Sequence, residues 1–331
     1  MLTHRHIRDG HAHFDEYENL GRGGSASVER VRHKLSGLFF ARKKILRGNN
    51  IATQQRKLEE FERELKALQR LRHKHLVSYV GSYTDLWSFS LILTPVAELE
   101  LKTLLERQAK EPLLGEEVNW LRNAFGCIAS ALSYCHENRF RHKDIKPGNI
   151  LLNDGQIYLC DFGISHDWND LPTATTTGDP GKFTLRYCAP EVVNRQSRNE
   201  KSDVWSLACV YIEMISVIKG HSLQDLDRFL LNENSPSVDY WCQPEAAKAW
   251  LDHIRDGSPD DVALDWIEKM VSLASVHFGI PFDHVNSSDR ILAIDRPQQT
   301  LSMTSKLTST IPQWTIISSA GAVSRDHRRR S

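Results

Sequence analysis

Residues 141 to 152 read Arg-His-Lys-Asp-Ile-Lys-Pro-Gly-Asn-Ile-Leu-Leu, and an Asp-Phe-Gly triplet begins at Asp161, 17 residues after Asp144. The two stretches hold two carboxylates, Asp144 and Asp161, an ammonium, Lys146, and a carboxamide, Asn149. Phosphoryl transfer calls for groups of these kinds: a carboxylate that orients an attacking hydroxyl, a cation on the moving phosphate, and oxygen ligands for a divalent metal. Either stretch alone arises by chance in unrelated chains. Their order and spacing, with the apolar pairs Ile150-Leu151-Leu152 and Ile157-Tyr158-Leu159 between them, tie the two together.

Other segments must hold these groups in place. Phe14 to Leu20 reads as a strand entering Gly21-Arg22-Gly23-Gly24-Ser25-Ala26-Ser27-Val28, where small residues let the backbone approach a phosphate closely. Leu38 to Ile45 is a second strand, and its period of two sends Lys43 and Lys44 to opposite faces, so only one can point at a ligand. Leu58, Phe61, Leu65, Leu68 and Leu71 recur at helical spacing, with Glu64 on the inward side and Glu60 as its runner-up one turn earlier. Strands Val77 to Tyr83 and Phe89 to Thr94 follow. From Leu101 the period turns helical, and Leu121, Ala124, Phe125, Ile128, Leu132 and Cys135 form a buried stripe running up to the 141–152 loop. Asp203 to Met214 opens a nearly all-apolar helix that must be buried on every side.

In this order and spacing the motifs resemble those of the eukaryotic protein kinase family, serine/threonine type, over residues 14 to 310. The resemblance implies an α+β, two-lobed fold: a small antiparallel-sheet lobe with one helix (14–97) and a larger, mainly helical lobe (98–310). A flexible N-terminal tail (1–13) and a basic C-terminal tail (311–331) would flank it. It implies ATP and Mg²⁺ as cofactors. Asp144, Lys146 and Asn149 would be catalytic, and Asn149 and Asp161 would hold the metal. Gly21, Gly23, Gly24 and Val28 would cover the nucleotide, and Lys43, in Phe40-Ala41-Arg42-Lys43, would reach its phosphates with Glu64 as partner. Ala41, Leu151, the gatekeeper Leu93 and the hinge residue Val96 complete the nucleotide set, with Glu100 near the ribose. Pro95, lacking an N–H, restricts which hinge amides can donate. Ile164 to Glu191 would be the activation segment, ending in the Ala189-Pro190-Glu191 anchor, and Asp203 would brace the catalytic loop. Arg296 would pair with Glu191. Lys143 stands where the family usually has arginine, and Ala26 where it has a third glycine. The stretch Leu93-Thr94-Pro95-Val96-Ala97 and the Thr-rich activation segment are similar to kinases of filamentous fungi.

Bulk properties narrow the field. The chain has 331 residues, beyond the usual limit of one core. Its 42 basic and 42 acidic side chains cancel, which removes any bulk electrostatic case for nucleic acid or an anionic membrane as partner. No apolar run approaches the roughly 18 residues that span a bilayer, and the polar, His-rich start lacks a secretory segment. An intracellular protein is expected, cytoplasmic or, through Arg328-Arg329-Arg330, nuclear. Six cysteines without a C-x-x-C pair read as reduced thiols. His4, His6, His11 and His13 alternate as metal ligands can, but a solvated terminus is the expectation. Expected partners are a protein substrate bearing Ser or Thr and an upstream activating kinase. A pseudokinase scaffold that binds nucleotide or partners without turnover stays open because of Ala26 and Lys143. A small-molecule kinase of related fold is disfavoured by Ala189-Pro190-Glu191 and Asp203-Val204-Trp205.

Overall fold

The computed structural model describes residues 4–7, 10–22, 26–167, 184–231 and 237–275. Gly23, Gly24, the Thr175–Thr177 cluster, Arg296 and the basic tail lie outside these residues, as does almost all of the irregular stretch expected after Met270.

The small lobe opens with β1 (His4–His6), β2 (Phe14–Arg22), β3 (Ala26–His33) and β4 (Phe39–Leu46), continues into α1 (Ile51–Arg70), and ends with β5 (Ser78–Thr84) and β6 (Ser88–Thr94). The strands form one sheet in the order β1-β5-β6-β4-β3-β2, antiparallel except for the β1–β5 pair. Register sets the chemistry: Lys43 on β4 lies opposite Val28 on β3 and Leu91 on β6, and Ala41 lies opposite Leu93. Strand alternation then points Val28, Ala41, Lys43 and Leu93 to one face.

Two features differ from expectation. Where a solvated terminus is expected, His4–His6 pairs with β5 in the register His4 to Ser82 and His6 to Thr84. His4 Nδ1 lies 3.0 Å from Ser82 Oγ, and His6 Nδ1 bonds Thr84 Oγ1. An open sheet edge offers backbone partners to any extended segment, so pairing there needs no apolar pattern. In α1, Asn50 accepts from the Thr53 amide at 2.9 Å, a side-chain cap that starts the helix before its first apolar repeat. The inward face carries Lys57, Phe61, Glu64, Ala67 and Leu68, whereas Leu58 is exposed and Leu65 only half-buried. An inward carboxylate leaves no hydrophobic signature, which is why the apolar stripe alone is rotated from the true one. Glu60 is engaged by Lys57 at 2.8 Å.

The larger lobe follows a short link after Thr94. It comprises β7 (Leu99–Glu100), α2 (Leu101–Arg107), α3 (Gly115–Glu137), β8 (Phe140–Arg141), β9 (Ile150–Asn153), β10 (Gln156–Leu159), β11 (His166–Asp167), α4 (Pro190–Val193), α5 (Lys201–Ile218), α6 (Leu223–Leu230), α7 (Pro244–His253) and α8 (Asp261–Ser275). The stripe Leu121, Ala124, Phe125, Ile128, Leu132 and Cys135 on α3 is buried, and every residue of α5 from Leu207 to Val217 is buried. The β9–β10 hairpin turns through Asp154 at φ 50° and Gly155 at φ 66°, the two-residue turn chemistry that Asp-Gly favours. It delivers Leu151 on one strand and leads to Asp161 from the other. Backbone bonds from Val77 N to Leu159 O (3.1 Å) and from Leu159 N to His75 O (2.9 Å) join the lobes beside that hairpin. All six cysteines are free thiols. Among the described residues no helix is long and apolar enough to cross a membrane.

Candidate active site

A cleft of about 1040 Å³ runs between the lobes. Gly21, Val28, Ala41, Lys43, Glu64, Leu93, Asn149, Leu151 and Asp161 line it, together with Lys146 and Glu100. Val96 does not; its neighbours Pro95 and Ala97 do. Lys44, on the other face of β4, is also absent from the lining.

Lys43 is the hub of the upper half. Its Nζ lies 2.8 Å from both carboxylate oxygens of Glu64 and 2.7 Å from Asp161 Oδ1, so one ammonium joins α1 to the segment after β10. Burial works against the charged lysine, but Glu64 and Asp161 hold its pKa above the ordinary value. Burial likewise works to raise the Asp161 carboxyl, and Lys43 overcomes it, holding the group down to about 2. Asp161 has φ 67°, a left-handed conformation costly for a side-chain-bearing residue. The Gly163 amide donates to Asp161 Oδ1 at 3.2 Å, and Phe162 is buried beside the His142 ring, 5.0 Å between centroids. A Cβ on Gly163 would sit 3.2 Å from Asp161 Oδ1 and 3.5 Å from Glu64 Oε2, so glycine is what lets the chain pass this ion triad.

The lower half is organised on Asp144. Its Oδ2 accepts from Lys146 Nζ at 2.6 Å and from Asn149 Nδ2 at 3.0 Å, and its Oδ1 accepts from Thr184 Oγ1 at 3.0 Å. Lys146 Nζ also reaches Thr184 Oγ1 at 3.1 Å, and Asn149 Nδ2 donates to the Asp144 carbonyl at 2.7 Å. The loop is braced from α5: Asp203 accepts from the amides of His142 and Lys143, each at 2.8 Å, and lies 2.9 Å from His136 Nε2. These bonds hold Lys143 at φ 71°, the kind of strain that persists only where surroundings over-determine it.

Several participants carry no signal in the sequence. His136 is a lone histidine at the end of α3, and nothing in its spacing announces its bond to Asp203. His142 Nε2 lies 2.9 Å from the Cys160 carbonyl oxygen, a contact that links the catalytic loop to the strand before Asp161. Cys160 itself lines the cleft as a thiol whose pKa burial pushes up. Glu100 is half-buried, and burial raises its pKa while Lys102 and Lys146 act to lower it. Glu191 is buried, with Oε1 accepting from Ser202 Oγ at 2.5 Å; Oε2 has no hydrogen-bond partner among the described residues.

The sequence matches the protein kinase domain family over residues 14–241. It is 33% identical over 204 residues to MAP kinase kinase MKK1/SSP32 of Saccharomyces cerevisiae, covering 59% of this chain and 37% of that protein. It is 32% identical over 206 residues to serine/threonine-protein kinase cst-1 of Caenorhabditis elegans, covering 61% and 38%. A match to the filamentous fungus Pyricularia oryzae, mitogen-activated protein kinase kinase kinase MST11, has 29% identity over 269 residues, covering 74% and 28%. The matched region thus spans about a third of the length of these relatives. Two lobes meeting at a cleft, and a family match over more than half of the sequence, establish that this chain belongs to the protein kinase domain family.

Proposed function

We propose that the chain transfers the γ-phosphoryl group of ATP to serine and threonine hydroxyls of protein substrates. The observation that carries the reading is a pair of networks at one cleft: Lys43 on Glu64 and Asp161, and Asp144 on Lys146, Asn149 and Thr184, the last three of which line the cleft. Mere scaffolding does not require two carboxylates, Asp144 and Asp161, each bonded to its own lysine. In this mechanism Lys43, kept cationic by its partners, holds the α and β phosphates. Asp144 orients the acceptor hydroxyl and takes its proton, sharing its carboxylate with Thr184. Lys146 neutralises charge growing on the transferred group.

The donor set fits a hard divalent cation. Asn149 uses its amide nitrogen on Asp144, which leaves its oxygen for the metal, and Asp161 stays ionised at neutral pH. Asn149 and Asp161 would hold Mg²⁺, which supplies neutralisation of the phosphate oxygens when bound. Gly21, Val28, Ala41, Leu93 and Leu151 would enclose the nucleotide, along with Gly23 and Gly24, and the hinge at Pro95 and Ala97, rather than Val96, would border the adenine edge. A protein substrate and an activating kinase upstream belong to the same reading.

Lys43→Met should abolish turnover by misplacing the phosphates, and Asp161→Asn should remove the Mg²⁺ dependence of ATP affinity. Steady-state transfer from labelled ATP and nucleotide titrations with and without Mg²⁺ check both. Undiminished turnover in either variant would contradict the assignment, and wild-type ATP binding without transfer would favour the scaffold alternative.

A further inference from the structure

Beyond the catalytic loop the cleft is floored by Arg186, Glu213, Leu223, Gln224 and Asp227. Two of these are carboxylates from different helices, Glu213 on α5 and Asp227 on α6. Glu213 is almost fully buried in a helix that is otherwise apolar around it, which makes its charge costly unless a cation answers it. The answering cation is Arg186. Its Nε donates to Glu213 Oε1 at 2.8 Å and its Nη2 to Asp227 Oδ1 at 2.7 Å. Tyr187 and Tyr240 hydroxyls donate to the same Glu213 at 3.1 Å and 3.3 Å. The guanidinium lies over the Tyr240 ring, 5.2 Å from its centroid.

A pair of carboxylates opening on a cleft is a natural seat for a ligand's arginine, because a guanidinium forks onto two acceptors at once. Here the chain's own arginine sits in that seat. Its contacts are all directed inward and its side chain is only 18% exposed, whereas Asp227 is 38% exposed toward the cleft. We infer that Arg186 is a specificity-determining residue: it occupies the Glu213–Asp227 slot from within, so that acceptor peptides present a non-basic residue there and are discriminated against when they carry arginine or lysine. The inference rests on the cleft being an acceptor-peptide site, as in the proposed function. Glu100 stands at the hinge end, beside Gly148, whose added Cβ would lie 3.6 Å from Glu100 Oε2. Any arginine preference that Glu100 creates is separate and does not involve Asp227.

The test measures binding and transfer in parallel on the full chain. Fluorescent serine peptides in an alanine background, each with one arginine moved through the positions flanking the serine, are titrated by anisotropy against wild type, Arg186→Ala, Arg186→Lys, Asp227→Asn and Arg186→Ala/Asp227→Asn. In wild type, Asp227→Asn should leave the ranking of peptides unchanged. Arg186→Ala should bind one arginine peptide at least about tenfold tighter than the alanine peptide, a difference of about 1.4 kcal/mol. The gain should vanish in the double variant and be absent in Arg186→Lys, which keeps the cation. Should Arg186→Ala fail to fold with Glu213 left charged, Arg186→Met/Glu213→Gln removes that charge, retains Asp227 and should show the same gain in smaller measure. A wild-type arginine preference abolished by Asp227→Asn, or a folded Arg186 variant with no new preference, overturns the inference. Phosphate transfer is read separately: no transfer by wild type with the binding pattern intact would sink the catalytic reading and leave the slot assignment standing.

Discussion

Lys143 sits in surroundings that oppose its charge. Its backbone is pinned by Asp203, and its side chain, although part of the surface, feels the like charges of Arg141, Arg198 and Arg63. Loss of water around the ammonium, then repulsion from Arg141, Arg198 and Arg63, pushes it down to about 8 from 10.5. Between those two pH values the unfolded chain holds a proton that the folded chain lacks, so stability rises with pH through that window. Lys143→Met should therefore stabilise the protein most below about pH 8, and the Tm gap to wild type should narrow toward pH 10; a gap independent of pH would contradict this. A phosphate within Thr175–Thr177 would add an anion for Lys143, yet lysine has no planar fork to grip it. Thr175, Thr176 and Thr177 all changed to Ala should accordingly keep appreciable basal turnover, whereas full inactivity of that variant would show that control is not partial. At this scale the sequence was readable where chemistry restricts residue type. Asp144, Lys146, Asn149 and Asp161 announce themselves, while the histidines that steady their surroundings, His136 on Asp203 and His142 on the Cys160 carbonyl, are ordinary residues whose roles exist only once the chain is folded.

Elements divide in the same way. Strands β4 and β6 and helices α3 and α5 carry apolar periods strong enough to be read directly, because each buries a defined face. Helix α1 is only half legible: its cap at Asn50 and its inward Glu64 are polar, and the placement of Glu64 depends on Lys43 of the neighbouring strand β4. Strand β1 leaves no pattern at all, since its pairing rests on backbone groups and on two histidines bonded to Ser82 and Thr84. The short α4 helix poses a problem of charge. It buries Glu191, whose carboxyl burial raises and Ser202 only partly answers. Arg296 is the partner expected from the sequence. Removing one member of a buried pair costs on the order of 3 to 5 kcal/mol, so Arg296→Ala should lower the thermal unfolding midpoint by several degrees. An unchanged midpoint would mean that Glu191 is answered by another group.

Across the whole molecule, the chain's zero net charge conceals a strongly organised distribution. Cations gather below the catalytic loop, at Arg141, Lys143 and Arg198, and carboxylates line the cleft at Glu100, Glu213 and Asp227. Composition averages that pattern away, whereas motif order preserves it, which is why the two-lobed architecture was legible and the local fields were not. The same architecture makes the central claim simple to test, because Asp144 touches both Lys146 and Asn149 and should be dispensable for nucleotide binding but not for transfer. The measurement is transfer of labelled γ-phosphate from ATP with Mg²⁺ to a Ser/Thr protein substrate, followed by phosphoamino-acid analysis, for wild type and Asp144→Asn. Phosphoserine or phosphothreonine formed by wild type, with a loss of at least about 100-fold in Asp144→Asn at unchanged ATP affinity, is the predicted result; no transfer by wild type, or equal transfer by both, would contradict it.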